Sequence, residues 1–258
     1  MTDYWLKQTS DKPLFPELLW SRPENKQTAG KLLIIGGNQH GFVSPGAAFR
    51  AAEAGGIGQI RLLLPDSLRP YVGKHFDGGE LAPSTPSGSF AKAALAMFLD
   101  SADWADGVLL AGDLGHNSET AIVLEAFLNK YKGQLTLTGD AIDYFLASDS
   151  MLLRRPNSLL VPSFVQLQKL IASTNFTKAL TSNMAVNILV DDLHQFTLDK
   201  EAAILTEHNG QLLTAYNSQV CTTKSNDNND LTAISAKAAV WWLQNPGKTL
   251  AAISTSLL

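Results

Sequence analysis

Apolar residues in this chain gather in short unbroken runs at 31–35, 59–64, 107–111, 134–137 and 159–161. Short runs of three to six such residues predict strands buried on both faces of a parallel sheet. The segments 45–54, 119–131, 164–171 and 183–196 read as helices, as does 90–99, where apolar residues recur near helical spacing. Pro45 sits in a first helical turn, Gly55-Gly56 stops that helix, and Asn117 or Ser118 is placed to cap another. Two runs at 202–206 and 211–215 flank His208-Asn209-Gly210, the pattern of a β-hairpin. Two closing helices, 231–244 and 248–257, are separated at Pro246-Gly247. Residues 1–30 read as an extended arm with a short helix at 15–20, and the Gly-, Pro- and Ser-rich stretch 65–88 reads as loop.

The unit at 30–65 is strand, glycine turn, helix, strand, which implies a right-handed crossover between parallel strands. Alternation of strands and helices, then a late hairpin, predicts an α/β fold: a three-layer α/β/α sandwich with a mainly parallel central sheet. With 258 residues and 45% hydrophobic content, one large domain over 1–258 is expected rather than two small ones. A net charge of −4 leaves no electrostatic footprint for nucleic acid. No apolar stretch has membrane-spanning length and no secretory segment is visible, so no membrane partner is expected. Cys221 is alone, which forbids an internal disulfide and fits a reducing cytoplasm; no neighbouring His activates it, so it reads as a half-buried structural thiol. Of the adjacent Trp241 and Trp242, at least one should pack in the core or at a subunit contact, and a homo-oligomer is expected.

Ligands of parallel sheets collect at strand carboxyl ends, here Gly36-Gly37, 112–115, 138–140 and Pro162-Ser163. Gly36-Gly37 either turns the chain tightly or lets backbone N–H groups approach a ligand. The pattern G-x-G-x-x-G is missing, so a dinucleotide fingerprint is not supported. His40, His75, His116, His194 and His208 show no metal-ligand spacing and read as surface or loop residues. Asp191-Asp192 reads as a solvated turn of helix, and Asp140 with Asp143 as one helix face.

Several segments, taken together, resemble the ribokinase-like family of NAD(P)H-hydrate dehydratases over residues 22–258. Arg22, Asn25-Lys26-Gln27 and Gly30 stand at the spacing of that family's Arg, His-Lys-Gly and Gly. Ile34-Ile35-Gly36-Gly37-Asn38, Ser44-Pro45-Gly46 and 51–58 are similar to its V-I-G-G-S, its G-A-P and its helix ending L-R-x-G-A-G. Ala111-Gly112-Asp113-Leu114-Gly115 is similar to G-P-G-L-G, and Leu137-Thr138-Gly139-Asp140-Ala141-Ile142 to L-D-A-D-A-L. The motifs that carry chemistry depart further. T-P-H-x-G-E becomes Val161-Pro162-Ser163-Phe164-Val165-Gln166, so Ser163 replaces the substrate-facing His. The lysine of L-K-G falls at Lys200 in Leu198-Asp199-Lys200, and the anion hole and base G-T-G-D fall at Asp227-Asn228-Asn229-Asp230.

The resemblance implies a ribokinase-like fold and a reaction in which ADP or ATP, with Mg²⁺, phosphorylates the hydroxyl of NAD(P)H hydrate before phosphate leaves. It makes Asp230 the catalytic base, gives Asn228, Asn229 and Lys200 to the nucleotide, and gives Gly36, Gly37, Pro45, Gly115, Asp140 and Ser163 to the substrate. The partner implied is a small-molecule nucleotide. Such chemistry needs a proton acceptor, backbone donors for the phosphoryl group and a cation. Asp230 also suits the N-cap of the helix beginning at Leu231, and one residue can do both. Asp227, if it faced a phosphate oxygen at about 4 Å, would cost about 4 kcal/mol at an effective dielectric of about 20, against about 0.3–2 kcal/mol returned by a helix N-terminus. Three readings stand: a dehydratase of this type, a catalytically degenerate nucleotide- or metabolite-binding or structural homologue, and a vitamin-precursor kinase of the same superfamily.

Overall fold

A computed structural model of the chain describes residues 3–72, 79–146, 151–225 and 230–258. In chain order it runs β1 (Trp5–Gln8), α1 (Pro16–Trp20), β2 (Lys31–Ile35), α2 (Val43–Ala54), β3 (Gln59–Pro65), α3 (Arg69–Val72) and β4 (Gly79–Ala82). Then come α4 (Leu95–Trp104), β5 (Gly107–Leu110), α5 (Ser118–Lys130), β6 (Gln134–Thr138), α6 (Asp140–Asp143), β7 (Ser158–Val161), α7 (Phe164–Ala172) and α8 (Val186–Phe196). The hairpin region is β8 (Ala203–His208), β9 (Gln211–Tyr216) and β10 (Gln219–Lys224), followed by α9 (Leu231–Gln244) and α10 (Thr249–Thr255).

The ten strands form one sheet in the order β1-β10-β9-β8-β7-β6-β5-β2-β3-β4. Every pairing from β8 through to β4 is parallel; β8–β9 and β9–β10 are antiparallel, and β1 joins β10 in parallel. The chain steps outward from β2 to β3 and β4, then returns to lay β5 on β2's other side. Open α/β sheets form their ligand crevice at such a reversal, outside the carboxyl ends of the strands.

Side-chain alternation builds the layers. Leu32, Ile34, Leu62, Leu64 and Leu109 pack under α2 and α9. Leu33, Ile35, Leu63, Val108, Leu135 and Leu137 pack beneath α4, α5, α7 and α8 on the other face. Each such buried side chain contributes about 1.5–3 kcal/mol, which is why runs such as Leu32 to Ile35 and Val108 to Leu110 are apolar on both faces. α1 and α10 join α9 above Leu159, Leu205 and Leu212, and both Trp241 and Trp242 are buried there.

The direction of α9 matters for the site. The Gln244 amide donates to the carbonyls of Ala29 and Gly56, and Gln134 donates to the Ala239 carbonyl. The C-terminal half of α9 therefore lies over the amino ends of β2, β3 and β6. Its 14 residues span about 21 Å, so its first turn opens onto the carboxyl edge. α2 begins at that edge too, beyond β2, and its end at Gly55 packs against Val240 of α9.

Some expectations need correction. The stretch 65–88 is not mostly loop, since it holds α3 and the edge strand β4. The helix expected from residue 90 begins at Leu95, after a 3-10 turn at 92–94, because Phe90 instead bridges to Ser84 and fills the core. His208 is a buried residue of β8, bonded to the Met184 carbonyl at 2.8 Å and stacked on Phe164, rather than a loop histidine. Asp192 is buried and paired with Lys178 at 2.7 Å, not solvated. Cys221 is fully buried in β10, and burial pushes its thiol pKa to about 11. No helix among the described residues is long and apolar enough to cross a membrane.

Candidate functional site

At the reversal between β2 and β5, Gly36 and Gly37 end β2 against the turn that follows β5. The Gly37 N–H donates to the Gly112 carbonyl at 3.0 Å, and the Gly36 N–H to the Leu63 carbonyl at 3.3 Å. A Cβ on Gly36 would lie 2.6 Å from the Gly112 oxygen and 3.3 Å from Pro45 Cγ. Close backbone approach is thus the reason for glycine at 36, and both N–H groups are spent inside the fold. Gly36, Gly37 and Pro45 lie together around Gly112.

Beside them stand two carboxylates. Asp113 has φ 56°, in the left-handed region, where a short polar side chain is tolerated. That conformation turns its Oδ2 toward α2, where it accepts the Ser44 N–H at 2.7 Å, while its carbonyl accepts the Asn38 amide at 2.6 Å. Asp140 follows Gly139, whose φ is 59°. Its carboxylate accepts the Leu114 N–H at 3.2 Å and the Gly115 N–H at 3.1 Å. Burial raises the Asp140 pKa above its ordinary value; the two backbone bonds oppose that, Asp113 adds to it and His116 opposes it. The Tyr144 hydroxyl donates to the Gly115 carbonyl and accepts the Asn117 N–H at 3.2 Å, closing the turn from its far side.

Ser163 reaches the same edge as the N-cap of α7. Its hydroxyl accepts the Gln166 N–H at 3.3 Å, and Gln166 Oε1 accepts the Ser163 N–H at 3.0 Å, a capping box. The Gln166 amide then donates to the Gly139 carbonyl at 2.8 Å and to Asp143 at 3.0 Å, tying α7 to the β6–α6 turn. Asp230 is exposed and caps α9, its Oδ1 accepting the Thr232 N–H at 2.9 Å. Asp227, Asn228, Asn229 and His75 lie outside the described residues.

Lys200 does not belong to this edge. The segment matched to a strand at 198–200 is a 3-10 turn, Thr197–Asp199, that extends α8 through the Thr197 hydroxyl bonded to the Leu193 carbonyl. The strand is β8, so Lys200 precedes it and sits at the amino edge, with Nζ 2.7 Å from Asp199 and 5.4 Å from the Phe196 ring centre. What the resemblance missed is Asp113, whose contact with Ser44 joins residues 69 apart. Its one sequence signal is an acidic residue between Gly112 and Gly115, where a turn needs positive φ.

The edge therefore has a consistent chemistry. One backbone donor at the start of α2, two in the turn after β5 and one at the start of α9 are taken by carboxylates of the chain: Asp113, Asp140 and Asp230. None of the three has a Lys or Arg partner among the described residues. An incoming phosphate must displace these groups or sit against them, and like charge at contact range opposes both.

No protein-family model matches this sequence, and no curated protein matches it. Solved structures do. A ribokinase-like superfamily protein from Enterococcus faecalis V583 superposes with a TM-score of 0.70 at 14% identity, covering 100% of this chain and 87% of that one. A hypothetical protein from Streptococcus mutans gives a TM-score of 0.68 at 16% identity, over 93% of this chain and 84% of its own. An ADP/ATP-dependent NAD(P)H-hydrate dehydratase from Bacillus subtilis, co-crystallised with ATP and Mg²⁺, gives 0.63 at 11% identity, over 95% and 86%. The fold is ribokinase-like.

Proposed function

We propose that this chain is a divergent relative of the nucleotide-dependent NAD(P)H-hydrate dehydratases that keeps a small-molecule site at the carboxyl edge and has lost efficient phosphoryl transfer. The carboxylates of Asp113, Asp140 and Asp230, held at four backbone N–H groups of this edge, carry this reading. A bound nucleotide with Mg²⁺ would supply the phosphoryl group and part of the charge offset. The described residues fit that group poorly, since three carboxylates without a Lys or Arg partner stand at the backbone donors of this edge. Asp230 holds a position from which a carboxylate can accept a hydroxyl proton, but proton removal does nothing for phosphate charge. One lost backbone donor commonly costs about 10²–10³ in rate. No observation favours the vitamin-precursor kinase, which needs the same charge offset.

The experiment incubates purified protein with hydrated NADH, ADP or ATP, and Mg²⁺, and follows recovery of NADH absorbance beside an active dehydratase. Turnover at least about 10² lower is expected. A thermal-shift series with ADP, ATP, NADH and NADPH should still show a stabilising ligand. Robust turnover that disappears in Asp230→Asn would overturn the proposal.

A further inference from the structure

The opposite edge of the sheet carries a separate cleft of about 360 Å³, lined by Leu128, Lys132, Met151, Arg154, Arg155 and Pro156. It lies where α5 ends and the chain enters β7. Three of its walls are apolar and three are cationic. Arg155 is only 8% exposed. Its guanidinium donates to the carbonyls of Tyr131 at 2.8 Å, Gly133 at 2.9 Å and Pro156 at 3.2 Å, and to the Ser158 hydroxyl at 2.9 Å. Those partners are all neutral, and Nε–H has none among the described residues. A guanidinium has thus left water without a counter-ion, and desolvation lowers its pKa.

The other two cations are exposed. Among the described residues, Lys132 and Arg154 make neither a hydrogen bond nor an ion pair. Asp199, whose carboxyl is held below the usual range first by Lys200 and to a smaller degree by Arg154, is already bonded to Lys200 at 2.7 Å. Leu128, Met151 and Pro156 complete the concavity with carbon surface. Unpaired cations grouped beside apolar walls in a cleft are satisfied together by one kind of molecule, a compact apolar body with an anionic head. Three positive charges, one of them the uncommitted guanidinium fork of Arg154, match a dianionic phosphate better than a monoanion.

We infer that this amino-edge cleft binds a small phosphate monoester with an aromatic or aliphatic body, the phosphate between Lys132 and Arg154 with the buried Arg155 charge behind them, and the body against Leu128, Met151 and Pro156. This site is independent of the proposed function, since it shares no residue with the carboxyl edge. The test is isothermal titration of the full chain at low salt with 1-naphthyl phosphate, and separately with 1-naphthol and inorganic phosphate. The ester should bind at least about tenfold more tightly than either half, and more weakly as salt rises. The double variant Lys132→Ala with Arg154→Ala removes two exposed, unpartnered side chains, so the fold should persist with unchanged Tm while ester affinity falls at least about tenfold. Failure of the ester to bind at millimolar concentration, equal binding of 1-naphthol, or undiminished affinity in the double variant would each overturn the inference.

Discussion

Asp140 Oδ2 accepts the Gly115 N–H at 3.1 Å, and its Oδ1 takes the neighbouring Leu114 N–H at 3.2 Å. A carboxylate from the β6–α6 turn thereby fills the cradle formed after β5, where positive φ at Gly112, Asp113 and Gly115 directs N–H groups inward.

That contact has a pH signature. Burial raises the folded-state pKa of Asp140 above its ordinary 3.8, so the native state holds this proton more tightly than the unfolded chain. Its contribution to stability is full below 3.8 and declines as pH rises through the raised folded value. Asp140→Asn has no such titration and turns an amide toward N–H groups, costing about 1–3 kcal/mol at low pH. Urea midpoints from pH 3 upward should show the wild-type advantage over the variant shrinking across this window and then levelling; a constant difference would mean that Asp140 does not titrate there.

Asp113→Gly removes the carboxylate at the start of α2 and suits the backbone at φ 56°. With one negative charge gone and the Ser44 N–H released, affinity for Mg-ADP should rise about tenfold by titration calorimetry. An unchanged affinity would show that repulsion by Asp113 is not what limits nucleotide binding.

Gly36→Ala and Gly46→Ala should move stability in opposite directions. A Cβ at 36 meets the Gly112 oxygen at 2.6 Å, an overpacking that costs about 1–3 kcal/mol. Position 46 lies inside α2, where a Cβ's nearest neighbour is Arg50 at 3.7 Å, so alanine should gain about 0.5–1 kcal/mol. Chemical denaturation of both variants decides the matter.

Asp230→Ala should lower stability by about 1 kcal/mol through loss of the α9 cap, whereas Asp230→Asn, an equally good cap, should leave it nearly unchanged. If Asn and Ala are equally destabilising, the bond to Thr232 is not the source of the effect.

The sheet's interior was legible where its strands are buried on both faces and apolar, as in Leu32 to Ile35 or Val108 to Leu110. Its margins were not. β4 is Gly-Glu-Leu-Ala at an edge, β1 is two apolar residues followed by Lys7 and Gln8, and β10 buries Thr222 and Thr223 in place of an apolar run. The site was legible as a place and not as a chemistry. Strand ends with glycines mark the edge, but whether an N–H faces a ligand or Asp140 depends on residues 25 positions away in the chain. Lys200 misled because a three-residue match carries no strand periodicity, and the turn at Thr197–Asp199 follows from the helix before it.

The pairing of β1 with β10 sets an order of assembly. Trp5 lies against Val220, and Gln8 is buried between Thr223 and the Ser254 carbonyl, a contact spanning 215 residues to Thr223. During synthesis β1 emerges long before the strand that receives it, and must wait, unpaired, while the ribosome delivers the rest of the sheet. The interior can condense around β2 without it, since that strand's partners lie closer along the chain. β1 is then the closing stitch. Until it is in place the hairpin edge at β10 stays open to strands of other chains, so the nascent protein's greatest exposure to aggregation falls at the end of its folding and at the opposite end of the sheet from β4.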